Sequence, residues 1–507
     1  MRNAPSPPFF PHLGQSGPQF TLTNSTDLNQ LNKRSVRGGA ITLVSQVATV
    51  ITQLASTVVL ARMLTPDDYG VMGMVLSFVA LAALFKDLGL SSAAIQKADL
   101  TIAQQSNLFW VNALFGLFLT LVFAASAPLV SWFYDRPDLL GMTLLLSMTF
   151  VLGGLSAQHN AMMIRHMHFG RQAIVNITAI AATFAVSVAL ASLDYGYWAL
   201  GWGHVAGAAA RTLLIWTFSP FVPGGWKRGV GTMDMIWFGA NVTGFNFVNY
   251  FSRNLDNILI GKFVGADALG IYGRAYQLML FPVQNLRGPI ETVTYPALCR
   301  LQDSPEEWRQ YHMQTLRVLA FLTMPLVAWM FLVAEPLILL LLGEAWAGVV
   351  PIFQILAIVA FIQPCASMVG SVMLSLGRSQ RLLWQGASVA VVMCFAFAIG
   401  VNWGAIGVAS AYAVAMYLVL VPMLMTAYYD TSMTLGDFFK SVSIPMFISL
   451  AALSAAEAAR HFASVSNSVT EIMLVTGVYV FVGLGSLVML PGRRKLMSDL
   501  RKIFRPK

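Results

Sequence analysis

The stretch GGAITLVSQVATVITQLASTVVLA (residues 38–61) runs for 24 residues without Asp, Glu, Lys or Arg. A bilayer core about 30 Å thick needs about 20 apolar helical residues to cross it. Similar stretches recur as far as the C-terminus, separated by short charged segments. One such stretch could form a buried core helix, but a dozen of them cannot. The pattern therefore predicts an all-α, polytopic membrane protein that acts across or within a bilayer.

The composition supports this prediction. Of the 507 residues, 57% are hydrophobic and only 10% are charged, whereas soluble domains carry about 25% charged residues. The net charge of +9 could suggest nucleic-acid binding, but the basic residues lie at the edges of the apolar stretches, as the positive-inside rule describes. The three cysteines are isolated and show no disulfide or metal spacing. We therefore predict no metal, no cofactor and no nucleic-acid partner.

About fourteen transmembrane helices account best for the charges between the apolar stretches. The predicted spans are 38–62, 70–92, 107–132, 140–164, 172–193, 196–218, 235–260, 268–298, 316–342, 348–375, 382–400, 403–427, 437–457 and 470–491. With this count, the inside loops and tails carry 23 Lys and Arg residues and the outside loops carry 4. Dropping one span would invert every later loop and destroy this asymmetry. Both termini are therefore predicted to be cytoplasmic.

An internal repeat suggests how these spans are grouped. LARMLTPDDYGVMG (60–73) and IGKFVGADALGIYG (260–273) align at an offset of 200. A parallel repeat is a known transporter plan, with the substrate site between the halves; chance similarity between Gly-rich outer loops is the alternative. The predicted domains are a disordered tail (1–37), an N-lobe of six helices (38–218), a cytoplasmic linker (219–234), a C-lobe of six helices (235–427), two additional helices (428–491) and a basic cytoplasmic tail (492–507).

Two longer segments resemble a known family. LARMLTPDDYGVMGMVLSFVALAALFKDLGLSSAAIQ (60–96) and NLDNILIGKFVGADALGIYGRAYQLMLFPVQNLRGPIETVTYPALCRLQD (254–303) resemble Wzx-type and colanic-acid-exporter-like polysaccharide transport proteins of the multidrug/oligosaccharidyl-lipid/polysaccharide (MOP) superfamily. The resemblance continues through GEAWAGVVPIFQILAIVAFIQP (343–364) and covers most of 35–430. It implies two pseudo-symmetric lobes like those of multidrug-and-toxin-extrusion proteins. It also implies an ion-coupled flippase of undecaprenyl-diphosphate-linked oligosaccharide in the bacterial inner membrane.

Intramembrane arginines are the candidates for binding a diphosphate headgroup. A charge at the bilayer centre is costly, and the planar guanidinium of Arg binds phosphate oxygens in pairs. Arg253, Arg274 and Arg287 are therefore predicted to line a headgroup cavity. The alternative is that Arg253 with Asp256, and Arg287 with Glu291, form intrahelical pairs that only assist packing. Arg274 is the strongest candidate because no acidic residue lies three or four positions away.

Four further residues are candidates for a gate or for ion coupling: Asp87, Asp256, Glu291 and His204. The offset of 200 places Asp87 opposite Arg287, which suggests a gate between the lobes; local pairing of Asp87 with Lys86 is the alternative. His204 lies between Gly203 and Gly207, a close-packing pattern that favours a structural role. H⁺ and Na⁺ are the candidate coupling ions.

Aromatic residues near the predicted helix ends indicate interfacial belts. They are Trp132, Tyr134, Trp346 and Trp403. Stacking on sugar rings is the alternative role for such side chains.

The sequence is compatible with three functions. The predicted one is a lipid-linked oligosaccharide flippase; the alternatives are a cation-coupled multidrug exporter of the same fold and a membrane-embedded polysaccharide polymerase or ligase. No connection exceeds about twenty residues, which leaves no room for a soluble catalytic domain, so an enzyme is not predicted. The excess of Arg over acidic candidates favours an anionic substrate over a cationic drug. The expected partners are the lipid-linked oligosaccharide, membrane lipids and the polysaccharide assembly machinery.

Overall fold

The computed structural model describes residues 46, 48–83, 100–229, 254–463 and 468–489. In chain order the helices are α1 (Ala48–Met63), α2 (Pro66–Ala83), α3 (Ile102–Ala125), α4 (Ala127–Tyr134), α5 (Asp138–Arg165), α6 (Phe169–Ala191), α7 (Tyr197–Phe218), α8 (254–263), α9 (Ala266–Arg300), α10 (Pro305–Leu332), α11 (Ala334–Leu342), α12 (Val349–Ala366), α13 (Val369–Ser375), α14 (Ser379–Gly400), α15 (Gly404–Tyr428), α16 (Leu435–Ala463) and α17 (Ser468–Met489). Short 3₁₀ helices precede α12 and α15. No strand occurs in these ranges, so the all-α prediction is confirmed for them.

The apolar helices agree with a multi-pass membrane protein. Within the described ranges, eight segments are long and apolar enough to cross a membrane, and α1 is a shorter apolar helix. Each of the fourteen predicted spans overlaps at least one of the helices. Most of the predicted span 235–260 lies outside the described ranges, so the count of fourteen stays a prediction.

Three predicted spans are each two helices in the structure, and prolines explain the first two breaks. The span 107–132 is broken at Ser126 and 316–342 at Val333, while 348–375 is interrupted at residues 367–368. Pro128 and Pro336 lie in the first turns of α4 and α11, where a missing backbone N–H is tolerated. Because proline has no backbone N–H, neither residue could form the hydrogen bond to the carbonyl four residues earlier that a continuous helix requires. Helix α10 also begins eleven residues before the predicted start, because its charged first turns extend beyond the apolar segment.

The two copies of the sequence repeat are in direct contact, where α2 crosses α9. A Cβ added to Gly70 would lie 1.7 Å from the carbonyl oxygen of Ala266, and one added to Gly270 would lie 1.9 Å from that of Pro66. The two contacts are reciprocal, since the offset of 200 converts each into the other. Only glycine permits this approach of backbones, as in other close helix crossings within membranes. The crossing joins the N-terminal half (α1–α7) to the C-terminal half (α8–α15).

Substitution at this crossing is expected to weaken the packing between the two halves and so to destabilise the protein. Gly70→Ala should lower the free energy of unfolding by about 1–3 kcal/mol, because the new methyl group meets backbone that cannot rotate away. Thermal unfolding in detergent measures the effect. Gly288→Ala is the matched control on α9, since a Cβ there meets nothing within 4 Å. Equal melting temperatures for both variants would contradict the described crossing.

Both halves use an arginine to cap the C-terminus of a neighbouring helix. In the N-terminal half, Arg171 Nη1 donates to the Phe218 carbonyl at the end of α7, at 3.0 Å. In the C-terminal half, Arg378 donates from Nη2 to the Asp430 carbonyl at 2.9 Å and from Nη1 to Tyr429, just after α15. A cation there satisfies the last carbonyl groups and opposes the negative end of the helix dipole. The two caps occupy equivalent places in the order of the helices, α6 with α7 and α14 with α15, although their residues are 207 to 212 positions apart.

The last two helices are attached to the C-terminal half by polar contacts. Arg309 of α10 forms a two-point contact with Asp437 of α16, with Nη2 to Oδ1 at 2.7 Å and Nε to Oδ2 at 2.9 Å. Trp329 of α10 donates to the hydroxyl of Thr476 on α17 at 2.9 Å. Arg460 connects α16 to Glu471 of α17, at 2.7 Å. These contacts fix α16 near the start of α10, fix α17 near the end of α10, and join α16 to α17.

Candidate functional site

A cavity of about 930 Å³ with a mixed polar and apolar lining lies between the two halves of the chain. The N-terminal half contributes residues of α1, α2, α6 and α7, and the C-terminal half contributes residues of α8 and α9. Amide and hydroxyl side chains form much of the lining: Gln53, Ser56, Thr57, Ser77, Thr183, Ser187, Asn254, Asn257, Gln277 and Gln284. Such groups donate and accept hydrogen bonds, as the hydroxyls of a sugar do. The cavity is therefore suited to a hydrophilic ligand despite its apolar surroundings.

The described lining is cationic. Arg274 of α9 lies in it, while no Asp, Glu or Lys is among the lining residues of the described ranges. His204 of α7 also lines the cavity, so this predicted site residue lies in the same site as Arg274. A positive group without a carboxylate beside it, in low-dielectric surroundings, favours an anionic ligand.

Arg274 is held at the wall of the cavity by two contacts. Its Cζ lies 3.8 Å from the centroid of the Tyr69 ring, and its Nη1 donates to Gln277 Oε1 at 2.6 Å. Neither partner is an anion. Neither partner therefore neutralises the positive charge of the guanidinium, and its remaining N–H groups can donate to a ligand.

The cavity ends at a seal beyond Tyr69. Trp346, fully buried between α11 and α12, packs edge-on against Tyr69 with ring centroids 5.3 Å apart. Its Nε1 donates to the Ala61 carbonyl at 2.8 Å. Arg62 donates to the carbonyl groups of Leu341, at 3.1 Å, and Leu340 at the end of α11. We call this end of the bundle the sealed end; it contains residues 62–66, 135–138, 193–196, 262–266 and 334–348.

Ion pairs reinforce the sealed end. Arg136, in the turn between α4 and α5, contacts Asp67 at 3.0 Å and Asp138 at 2.7 Å. The hydrogen bonds that Arg136 donates to Asp138 and Asp67 raise the pKa of its guanidinium, so this cation stays charged. It fixes the start of α2 to the turn between α4 and α5.

The belt interpretation of Trp346 and Tyr134 is wrong, because both side chains are buried in the bundle. The segment before α12 folds inward, and Trp346 becomes part of the seal. Trp132 and Trp403 are exposed, at 75% and 71%, as residues of an interfacial belt are.

Arg287 lies outside the lining of this cavity. It pairs with Glu291 one turn away, at 3.0 Å, and donates to the Ser367 carbonyl at 3.3 Å. Ser371 in turn donates to Glu291. These contacts join α9 to the break between α12 and α13, which matches the alternative of an intrahelical pair that assists packing. The structure thus separates Arg287 and Glu291 from Arg274.

Asp256 is buried inside the C-terminal half. The Tyr272 hydroxyl donates to Oδ2 at 2.9 Å, and the Asn257 backbone N–H donates to Oδ1 at 2.8 Å. In the described ranges no Lys, Arg or His side chain lies within 4.0 Å of its carboxylate. Its neighbours Asn254 and Asn257 line the cavity, so Asp256 lies directly behind the wall.

Two predicted residues lie outside the described ranges. These are Arg253 and Asp87, so the Arg253–Asp256 pair and the Asp87–Arg287 gate stay predictions. Among the described residues, no group of three His, Cys, Asp or Glu residues has the arrangement of a metal site.

A family model described as "Polysaccharide biosynthesis protein" matches residues 59–351, which is more than half of the chain. The chain belongs to this family. The match spans the α2–α9 crossing, Tyr69, Arg274 and Trp346. The matched segment therefore contains the seal and most of the cavity lining, except the residues of α1 that precede position 59.

Individual relatives agree with this assignment. The chain is 26% identical to the teichuronic acid biosynthesis protein TuaB of Bacillus subtilis (strain 168), over 83% of this chain and 88% of the relative. It is 25% identical to the lipopolysaccharide biosynthesis protein WzxC of Escherichia coli (strain K12), over 69% of this chain and 71% of the relative. The resemblance to Wzx-type proteins is confirmed.

Solved structures show the fold. The lipid II flippase MurJ in an inward closed conformation matches with a TM-score of 0.75 at 14% identity, over 91% of this chain and 100% of that chain. An inward-facing multidrug resistance MATE family transporter of the MOP superfamily matches with a TM-score of 0.58 at 14% identity, over 75% and 94%. The fold is therefore that of these membrane transporters. The family and fold agree with the prediction of a transport protein and not an enzyme.

Proposed function

We propose that this protein moves an undecaprenyl-diphosphate-linked oligosaccharide or polysaccharide precursor from the cytoplasmic to the outer face of the bacterial inner membrane. The cavity is the observation that carries the proposal. Among the described residues, its lining combines the Arg274 guanidinium with many amides and hydroxyls. The guanidinium suits a diphosphate, and the neutral polar groups suit a glycan. Both parts of the substrate must be shielded from hydrocarbon during passage.

The proposed transport cycle is alternating access between two six-helix lobes, 38–218 and 235–427, within fourteen spans. The reciprocal α2–α9 contacts and the matching arginine caps support this layout. With both termini cytoplasmic, the sealed end faces outward and the cavity belongs to the inward-facing state. The substrate would enter from the cytoplasmic leaflet and leave after the sealed end opens.

Ion coupling is proposed to use Asp256. A buried carboxylate without a cation beside it is costly in the charged state. Uptake of H⁺ or Na⁺ would remove that cost, and the position behind the cavity wall would transmit the change to Asn254 and Asn257. Glu291 is a weaker candidate because Arg287 neutralises it.

A cation-coupled drug exporter is the main alternative, since the MATE transporter shares the fold. Cavities for organic cations are expected to contain carboxylates, and the described lining of this cavity contains none. The polymerase or ligase alternative requires a catalytic acid or base on a large loop, which the short connections do not provide.

Reconstitution of the purified chain into liposomes distinguishes these functions. We expect labelled undecaprenyl-diphosphate-linked oligosaccharide placed in one leaflet to become accessible in the other. The same vesicles should release no fluorescent organic cation and should not lengthen the glycan. Cation efflux without lipid movement would favour the drug exporter, and chain growth would favour the polymerase.

A further inference from the structure

Four residues form a continuous series of contacts from the cavity to the seal. Arg274 stacks on Tyr69, Tyr69 packs against Trp346, and Trp346 donates to the carbonyl of Ala61. Arg274 and Trp346 belong to the C-terminal half, whereas Tyr69 and Ala61 belong to the N-terminal half. Each contact therefore crosses between the halves. Opening of the sealed end would have to break this series.

The first contact is the one that a bound anion would change. Stacking of a guanidinium on an aromatic ring is a modest attraction, whereas a bidentate bond to a phosphate is a strong one. Arg274 lines the cavity, so a diphosphate that binds its in-plane N–H donors can draw the guanidinium away from the Tyr69 ring. Binding of the headgroup would thus withdraw the cation that now holds the ring.

The remaining contacts depend on the position of Tyr69. Tyr69 is only 9% exposed, and its ring contacts both Arg274 and Trp346. Its hydroxyl has no hydrogen-bond partner among the described residues. A buried, unsatisfied hydroxyl destabilises the arrangement that contains it. The sealed state therefore keeps Tyr69 in place partly through Arg274, and loss of that contact favours release of the ring.

We propose that Tyr69 is a positioning residue that couples occupation of the cavity to opening of the sealed end. In the empty protein, Arg274 holds Tyr69 against Trp346, and the bond from Trp346 to Ala61 keeps the halves together. A diphosphate on Arg274 frees Tyr69, weakens the packing of Trp346 and permits opening. The inference rests on the proposed function, because it requires an anionic headgroup at Arg274.

The experiment measures opening and binding separately on the full chain in lipid nanodiscs. Leu193 and Phe263 are exposed residues at the sealed end, one from each half. Both are replaced by spin-labelled cysteines after Cys299, Cys365 and Cys394 are replaced by serine. Pulsed electron paramagnetic resonance gives the distance between the labels with and without undecaprenyl diphosphate. Binding of the radiolabelled lipid is measured on the same samples.

We expect the lipid to raise the ratio of open to sealed protein about fivefold, the change that a stacking contact of about 1 kcal/mol would produce. Tyr69→Leu should raise the ratio without lipid, and the lipid should then add little although it still binds. Tyr69→Phe keeps the ring and should restore the response. Phe78→Leu is the matched control: its ring, also on α2, contacts Phe133 and Tyr134 instead.

The outcomes separate the two claims. A wild-type protein that binds the lipid without a distance change overturns the coupling and leaves the proposed function intact. So does a Tyr69→Leu variant that responds like the wild type. If the wild type binds no undecaprenyl diphosphate, the proposed function fails and the coupling fails with it.

Discussion

Replacement of Arg274 by Gln should reduce movement of the diphosphate-linked lipid about 100-fold, because truncating a buried charged hydrogen-bonding partner costs about 2–5 kcal/mol. The substitution removes the charge from the described cavity lining but keeps a polar side chain of similar reach. The wild-type contacts of Arg274 are to a ring and to a neutral amide, so no buried carboxylate is left unpaired. The variant should therefore remain folded.

Transport is measured in liposomes as the rate at which labelled lipid-linked oligosaccharide crosses the bilayer. Arg274→Lys should give an intermediate loss of about tenfold, since an ammonium keeps the charge but loses the paired donors. Arg211→Gln is the matched control, because Arg211 of α7 is not among the residues that line the cavity. Wild-type transport by Arg274→Gln would show that the headgroup does not use this guanidinium.

Asp256→Asn is expected to abolish stimulation of transport by an ion gradient. The amide oxygen can still accept from the Asn257 backbone N–H while the amide NH2 donates to the Tyr272 hydroxyl, so the local packing should survive. It cannot gain or lose a proton or bind Na⁺ as a carboxylate does. If coupling contributes a typical 1–3 kcal/mol, the stimulated rate should fall about 5- to 150-fold, to the rate without a gradient.

The measurement compares transport in vesicles with a pH gradient, with a Na⁺ gradient and with neither. Asp267→Asn serves as the control, since Asp267 is an exposed carboxylate at the start of α9. The gradient that stimulates the wild type identifies the coupling ion. An Asp256→Asn protein that still responds to this gradient would assign the coupling to another residue.

The family and the helical class could be predicted from the sequence, and so could Arg274 as a residue that lines the cavity. Arg274 could be singled out because an Arg in an apolar span without a nearby acid needs a polar environment in the fold. Arg287 gives a similar signal, but Glu291 one turn away indicates the local pair that the structure contains. The repeat also indicated which segments are equivalent, and the α2–α9 crossing joins those segments.

Other features depend on contacts that no local pattern records. Tyr69 lies 205 positions before Arg274, and nothing in LTPDDYG distinguishes its ring from an interfacial tyrosine. Trp346 was misassigned because its position near a helix end is typical of a belt, whereas the chain there turns into the bundle. The helix breaks near Pro128 and Pro336 were missed because hydropathy continues across them.

Photo-crosslinking from inside the cavity tests the central claim most directly. A photoreactive amino acid at Gln277, beside Arg274, should crosslink to radiolabelled undecaprenyl-diphosphate-linked oligosaccharide, and unlabelled undecaprenyl diphosphate should compete. The same amino acid at Val414, which lines an apolar groove between α14 and α15, should give only background that the competitor does not change. Equal labelling at both positions, or labelling at Gln277 that resists competition, would contradict a diphosphate site in this cavity.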